Sequence, residues 1–139
     1  MNHPSVQDDN AIPPAIERWL QFMTSGGSND LIDLLAVDAV FYSPAVYAPQ
    51  KGRDKVASYL IAAERMFAGS DFRYTDTWCS GSSAVLQFRA ELEGAQIEGV
   101  DIIQWNSEQR ITSFKVMIRP LRGIQTVIPI MGQLLNEHR

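Results

Sequence analysis

The sequence predicts a single α+β domain in which helices come first, an antiparallel sheet follows and a helical segment closes the chain. Three observations predict it. Apolar residues recur at helical spacing across the first half of the 139 residues. From Phe72 onward the period changes to two. Short turns containing Gly or Asn then cut the alternating half into consecutive strands. The length suits one domain that buries most of its apolar surface, and no internal repeat, low-complexity segment or linker divides it.

Residues 1–11 are polar and are expected to form a flexible tail, leaving 12–139 as the domain. Pro13 and Pro14 suit a first helical turn, where a missing N–H leaves no bond unmade. Ile12, Ile16, Trp19, Leu20 and Met23 follow at helical spacing, and Gly26 and Gly27 end that helix. Ser28 or Asn29 caps a second helix carrying Leu31, Leu34 and Leu35. Asp38 is expected to cap or turn the segment after it. Residues 39–44 read as a short strand stopped by Pro44, and 47–52 as a loop or a second short strand. In the third helix Val56, Tyr59, Leu60, Ala63 and Phe67 make one apolar stripe, ended by Gly69 and Ser70.

The alternating half begins with Phe72, Tyr74 and Trp78 on one face. Leu86, Phe88, Ala90 and Leu92 alternate with Gln87, Arg89, Glu91 and Glu93, as a half-buried antiparallel strand requires. Strands over 97–105 and 111–119 complete a meander, the last with Phe114, Val116 and Ile118 on its apolar face. Residues 120–135 have helical spacing, with Pro129 and Gly132 expected to kink or split the helix.

Composition excludes several function classes. The net charge of −4 and the scattered 12 basic residues argue against nucleic acid, which demands clustered Lys and Arg, and against anionic membrane surfaces. The longest apolar runs fall far short of a membrane helix, and the N-terminus does not read as a signal peptide. A single cysteine, Cys79, forbids an internal disulfide and suits a reducing compartment, so the cytoplasm is the expected location. Cys79 has no His or cationic neighbour in sequence to activate it. The two histidines, His3 and His138, stand at the edges of the chain, so His/Cys zinc sites and Ser-His or Cys-His catalysis are not expected. No Gly-rich dinucleotide or P-loop motif is present. The expectation is no cofactor and no metal, with any acid–base work falling to a carboxylate, tyrosine or lysine.

The stretches AVDAVFYSPAVYAPQKGRDKVASYL and GVDIIQWNSEQRITSFKVMIRPL resemble the nuclear transport factor 2-like superfamily, in particular its SnoaL-like and ketosteroid-isomerase-like branch. The resemblance runs from about Ile16 to Pro120 and is carried by Ala36–Pro44, Gly52–Leu60 and Gly99–Met117. It implies a cone: a strongly curved sheet wrapped around the N-terminal helices, with a deep apolar cavity on its concave side. It also implies a homodimer joined through the convex sheet face, where Gln87, Arg89, Lys115 and Met117 would lie. Position by position, the isomerases' helix tyrosine falls on Trp19, their aspartate base on Ser43 and their protonated aspartate on Asp101. Serine at the base position argues against steroid isomerisation of that type. Gly99, where epoxide-hydrolase-like members carry an arginine, argues against that activity too. SnoaL-like cyclases, built around one pocket aspartate, agree better with what remains.

Asp101 is therefore the leading catalytic candidate and Ser43 a second one. In its strand Asp101 shares a face with Ile97, Gly99, Ile103 and Trp105, while Glu98, Val100, Ile102 and Gln104 take the other. Alternation alone leaves the side open, because both faces carry apolar residues. Turned inward, Asp101 would be desolvated and could donate a hydrogen bond to a substrate oxygen. Without a functional role it would pair with Arg89 or Lys115 on the outer face, or be a buried acid satisfied by a neighbouring hydroxyl. Trp19, Phe41, Tyr59, Phe88, Ile103 and Phe114 are the expected ligand-binding residues, with Phe22 and Trp105 as further aromatic candidates. Among the tyrosines Tyr42, Tyr47, Tyr59 and Tyr74, Tyr59 lies on an apolar stripe where its hydroxyl needs an inner partner: a ligand or, as the reading favoured for a core tyrosine, a backbone carbonyl. Arg119 could meet an anionic ligand group at the last strand's end, though a solvated strand end or a salt bridge is the reading favoured there. Three functions stay open: a pocket for a small hydrophobic ligand, an enzyme using Asp101 as general acid/base on an apolar carbonyl compound, and an interaction module without ligand.

Overall fold

The computed structural model describes residues 11–138, with side chains to Glu137; most of the expected N-terminal tail lies outside the described residues. Pro13 and Pro14 open helix α1 (Pro14–Ser25), which Gly26 ends in the left-handed conformation with its N–H on the Phe22 carbonyl. Helix α2 (Ser28–Leu34) follows. Strand β1 (Leu35–Tyr42) starts earlier than its sequence suggests, directly at Leu35. Asp38 is neither cap nor turn. It lies exposed within β1, where the ladder to its neighbour shifts register between Leu35 and Val40. The segment before Gly52 holds a two-residue strand β2 (Gln50–Lys51). Helix α3 (Arg53–Phe67) then buries Val56, Ala57, Leu60, Ala62, Met66 and Phe67.

Strands β3 (Arg73–Ser80), β4 (Ser83–Leu92), β5 (Ala95–Trp105) and β6 (Ile111–Arg119) form the meander. The six strands run in the order β2-β1-β6-β5-β4-β3. Every pairing is antiparallel except β1 with β6, which is parallel, because the chain leaves β1 through α3 and returns to it only after the whole meander. Helix α4 (Leu121–His138) is not split by Pro129. Pro129 and Gln125 are both exposed, so the carbonyl that loses its helical partner faces water rather than an apolar core.

The curved sheet closes over two packed regions. Ile16, Trp19, Leu31, Leu34, Ile103 and Ile111 belong to a core beneath α1 and α2. Met66, Phe67, Phe88, Ile97 and Val127 belong to a second one beneath α3 and α4. The backbone N–H of Ala15 donates to Oε1 of Gln109 in the β5–β6 turn, pinning the start of α1 to the sheet. No helix among the described residues is long and apolar enough to cross a membrane.

Candidate functional site

Asp101 is turned inward. Its residue is 5% exposed, in the row where Leu86 of β4 and Val116 of β6 flank it. Neither outer cation pairs with it: Arg89 and Arg119 both bind Glu98 on the convex face. Arg119 is thus part of a surface ion-pair cluster and does not reach the cavity. Lys115 lies over the Tyr42 ring.

A cavity of about 230 Å³ opens beside Asp101, between the concave sheet face and helices α1, α3 and α4. Trp19, Phe41, Tyr59, Phe88 and Phe114 line it, and so do Ser43 and Asp101. Ile103 does not line it. Two residues along β5 from Asp101, it is fully buried in the solid core under α1 and α2. Phe22 and Trp105 are likewise core rather than lining. The wall nearest the C-terminus comes from Val127, Ile128 and Met131 of α4 and from Ser43–Val46, the segment after β1.

Two aromatic arrangements shape the walls. Tyr59 stacks on Phe41 with ring centroids 5.1 Å apart, so its ring is held flat against the wall. Phe88 stacks on Phe72 at 5.2 Å and lies across Gly99, its direct partner in the β4–β5 ladder. A Cβ on Gly99 would stand 2.5 Å from Cζ of Phe88 and from the Met117 carbonyl oxygen. Gly99 therefore gives its space to the Phe88 ring, which becomes a wall of the cavity next to Asp101.

The polar centre is a chain of three side chains. Trp19 Nε1 donates to the Tyr74 hydroxyl at 2.9 Å, and that hydroxyl donates to Oδ2 of Asp101 at 2.5 Å. Burial pushes Asp101 up from 3.8 to about 7, against the opposing pull of the Tyr74 hydrogen bond. Burial and the neighbouring carboxylate together raise Tyr74 well above its ordinary value, so it remains a phenol that donates. Among the described residues Asp101 is the only carboxyl lining the cavity, and no Lys, Arg or His joins it there. Among the described residues no cluster of three or more His, Cys, Asp or Glu could hold a metal.

Tyr74 is the residue that sequence reasoning passed over in favour of Tyr59. A β-bulge hides it. Tyr74 faces Phe88 while Asp76 faces Gln87, so Thr75 is an extra residue in β3. Past it the sides exchange. Tyr74 points inward, but Trp78 emerges on the convex face, 55% exposed, instead of sharing Tyr74's side. The available signal was Phe72 and Tyr74 themselves, an inward pair at the strand's start; the bulge has no signature in the sequence.

The chain matches no curated protein. Residues 16–114 match the family model described as a SnoaL-like domain. The structure is similar to that of a steroid delta-isomerase from Pseudomonas aeruginosa, with 32% identity, a TM-score of 0.84 and coverage of 89% of this chain and 90% of the other. It is also similar to an uncharacterised protein with a cystatin-like fold from Silicibacter pomeroyi DSS-3, with 30% identity, a TM-score of 0.77 and coverage of 91% and 86%. A third likeness, to an NTF2-like protein of unknown function from Mesorhizobium loti, has 18% identity, a TM-score of 0.68 and coverage of 86% and 97%, and concerns the fold alone.

Proposed function

The chain belongs to the SnoaL-like domain family of the nuclear transport factor 2-like superfamily, and on that premise we propose that it binds a small apolar molecule bearing one oxygen function, which Asp101 meets inside the cavity. One observation carries this reading: a single buried carboxyl, held by Tyr74 and Trp19, on the wall of an otherwise apolar void. A buried acid without a structural ion pair costs stability, and such costs concentrate at sites of function. The void of about 230 Å³ exceeds the roughly 150 Å³ of an apolar cavity that admits benzene. It lies below the roughly 300–1,000 Å³ of pockets for drug-sized ligands. A ligand of one or two rings suits it.

A catalytic reading of the same site has its own support. An acid near pH 7 is poised to give and take a proton, and one of the similar structures is a steroid delta-isomerase. In this reading Asp101 is the general acid/base, on an isomerisation or an aldol-type closure of a carbonyl compound. Ser43 at the cavity wall orients the substrate but does not move a proton, since apart from Asp101 itself no basic side chain among the described residues lines the cavity to activate it. Co-crystallisation with 1-tetralone, a bicyclic ketone, tests the shared core of both readings. The expected result is the ketone oxygen within hydrogen-bond distance of Asp101 and the rings against Phe88. Ketone found only on the outer surface, or none at millimolar concentration, overturns it.

The proposed partner is a second copy of the chain. On the convex face, the cross-strand row Trp78, Val85, Ile102, Lys115 lies beside the row Asp76, Gln87, Val100, Met117. Trp78 and Met117 are 55% and 53% exposed. An exposed tryptophan amid aliphatic residues with a polar rim has the make-up of an interface centre.

A further inference from the structure

The hydrogen-bond chain at Asp101 has a direction. An indole N–H only donates, so the Tyr74 oxygen must accept from Trp19. If Asp101 also donated to that oxygen, the Tyr74 proton would have no acceptor among the described residues, where its other hydrogen-bond partner is Asp101 itself. The tyrosine proton therefore goes to Oδ2. Oδ1 has no partner among the described residues, yet the one enclosed side-chain polar atom without a partner is Nε of Arg53. Oδ1 is thus open to the cavity that Asp101 lines. When Asp101 is neutral, its proton belongs on Oδ1, because Oδ2 is already engaged as an acceptor.

We propose that Tyr74 is the positioning residue that sets the ligand selectivity of this site. By occupying Oδ2 it leaves Oδ1 as the carboxyl's single grip on a ligand, so the site prefers an oxygen that only accepts hydrogen bonds while Asp101 is neutral and one that donates once Asp101 is ionised. A ketone and its alcohol are the simplest pair that differ in this way. The inference rests on the reading that the cavity takes an oxygen-bearing ligand. No other charge competes for control: Tyr74 of β3, Leu86 of β4 and Val116 of β6 are next to Asp101, Trp19 of α1 and Tyr59 of α3 line the same cavity, and the lining part of α4 has no ionisable side chain. Among the described residues Tyr59 and Tyr74 are the only other titratable groups lining the cavity, both phenols.

Calorimetric titration of the full chain with 1-tetralone and with racemic 1-tetralol, at pH 5.5 and 8.5, tests it. Wild type is expected to favour the ketone at the lower pH and to shift toward the alcohol at the higher one, a swing of roughly tenfold in the ratio of dissociation constants, the worth of one hydrogen bond. In Asp101→Asn, Tyr74 donates to the amide oxygen and Nδ2 faces the cavity, so the ketone is favoured at both pH values. In Tyr74→Phe, the freed carboxyl both donates and accepts, and the ketone preference at pH 5.5 is lost. Identical ratios in wild type and Tyr74→Phe, or a wild-type ratio unchanged by pH, overturn the role of Tyr74 and leave the cavity's function standing. Failure of both probes to bind wild type overturns the cavity reading and this inference with it. Should Tyr74→Phe not fold, the wild-type ratio at pH 5.5 decides the matter: a ketone preference requires Oδ2 to be occupied, and its absence overturns the role of Tyr74.

Discussion

Replacing Asp101 by asparagine is expected to remove a pH dependence from the stability of the whole domain. In the unfolded chain this carboxyl gives up its proton above about 3.8; in the folded one it holds the proton to about 7. Between those values the folded state binds a proton that the unfolded state has released, so stability falls as pH rises and levels off above 7. At about 1.4 kcal/mol per pH unit the whole window amounts to about 4 kcal/mol, of which about 3 kcal/mol falls between pH 5 and pH 8. Asparagine keeps the acceptor for Tyr74 and has nothing to titrate. Urea unfolding of both proteins across that range should show the variant gaining on wild type by this amount, with unchanged m values. Glu98, held below its ordinary value first by its hydrogen bond from Arg119, adds stability that is lost only as pH falls below about 4.5, outside the window and common to both proteins. Stability curves that stay parallel from pH 5 to pH 8 would refute the reasoning. So would a loss of several kcal/mol at every pH, which marks a carboxylate held by a structural partner.

Three further substitutions follow from the same geometry. Tyr74→Phe leaves Trp19 Nε1 and Oδ2 of Asp101 without their shared partner; it should cost about 1–3 kcal/mol and move the Asp101 midpoint upward, read by the carboxyl's carbon-13 shift. Gly99→Ala drives a methyl group against Phe88 and the Met117 carbonyl, at about 1–3 kcal/mol in unfolding experiments, and pushes the Phe88 ring into the cavity so that 1-tetralone binding weakens. Trp78→Glu on the convex face should convert a dimer to a monomer in sedimentation, while the Asp101 midpoint stays in place. A wild-type protein that sediments as a monomer removes that surface from the account.

The order of elements was legible because periodicity reports burial directly: Val56 to Phe67 could only be a helix stripe, and Leu86 to Leu92 only a half-buried strand. What periodicity does not report is which side is inside when both are apolar. Val100 and Ile102 on the convex face made the β5 strand ambiguous, and the inward turn of Asp101 depends on how β4 and β6 flank it. The parallel junction of β1 and β6 is a long-range pairing with no local mark. Pro129 was overweighted because its cost depends on whether the carbonyl it strands faces water, and here it does. At the site, the residues around Asp101 were largely foreseeable from aromatic side chains at inward positions. Ile103 was not separable from them, since a core residue and a lining residue two positions apart have the same pattern. Tyr74 was obscured by one inserted residue, Thr75.

Carbon-13 NMR of the Asp101 carboxyl through a pH titration, with and without 1-tetralone, bears on the heart of the matter. A midpoint of about 7 that climbs when the ketone is added is what a neutral, inward-facing acid donating to a bound oxygen produces. A midpoint near 3.8, indifferent to the ketone, would mean an ionised and solvated side chain and contradict it.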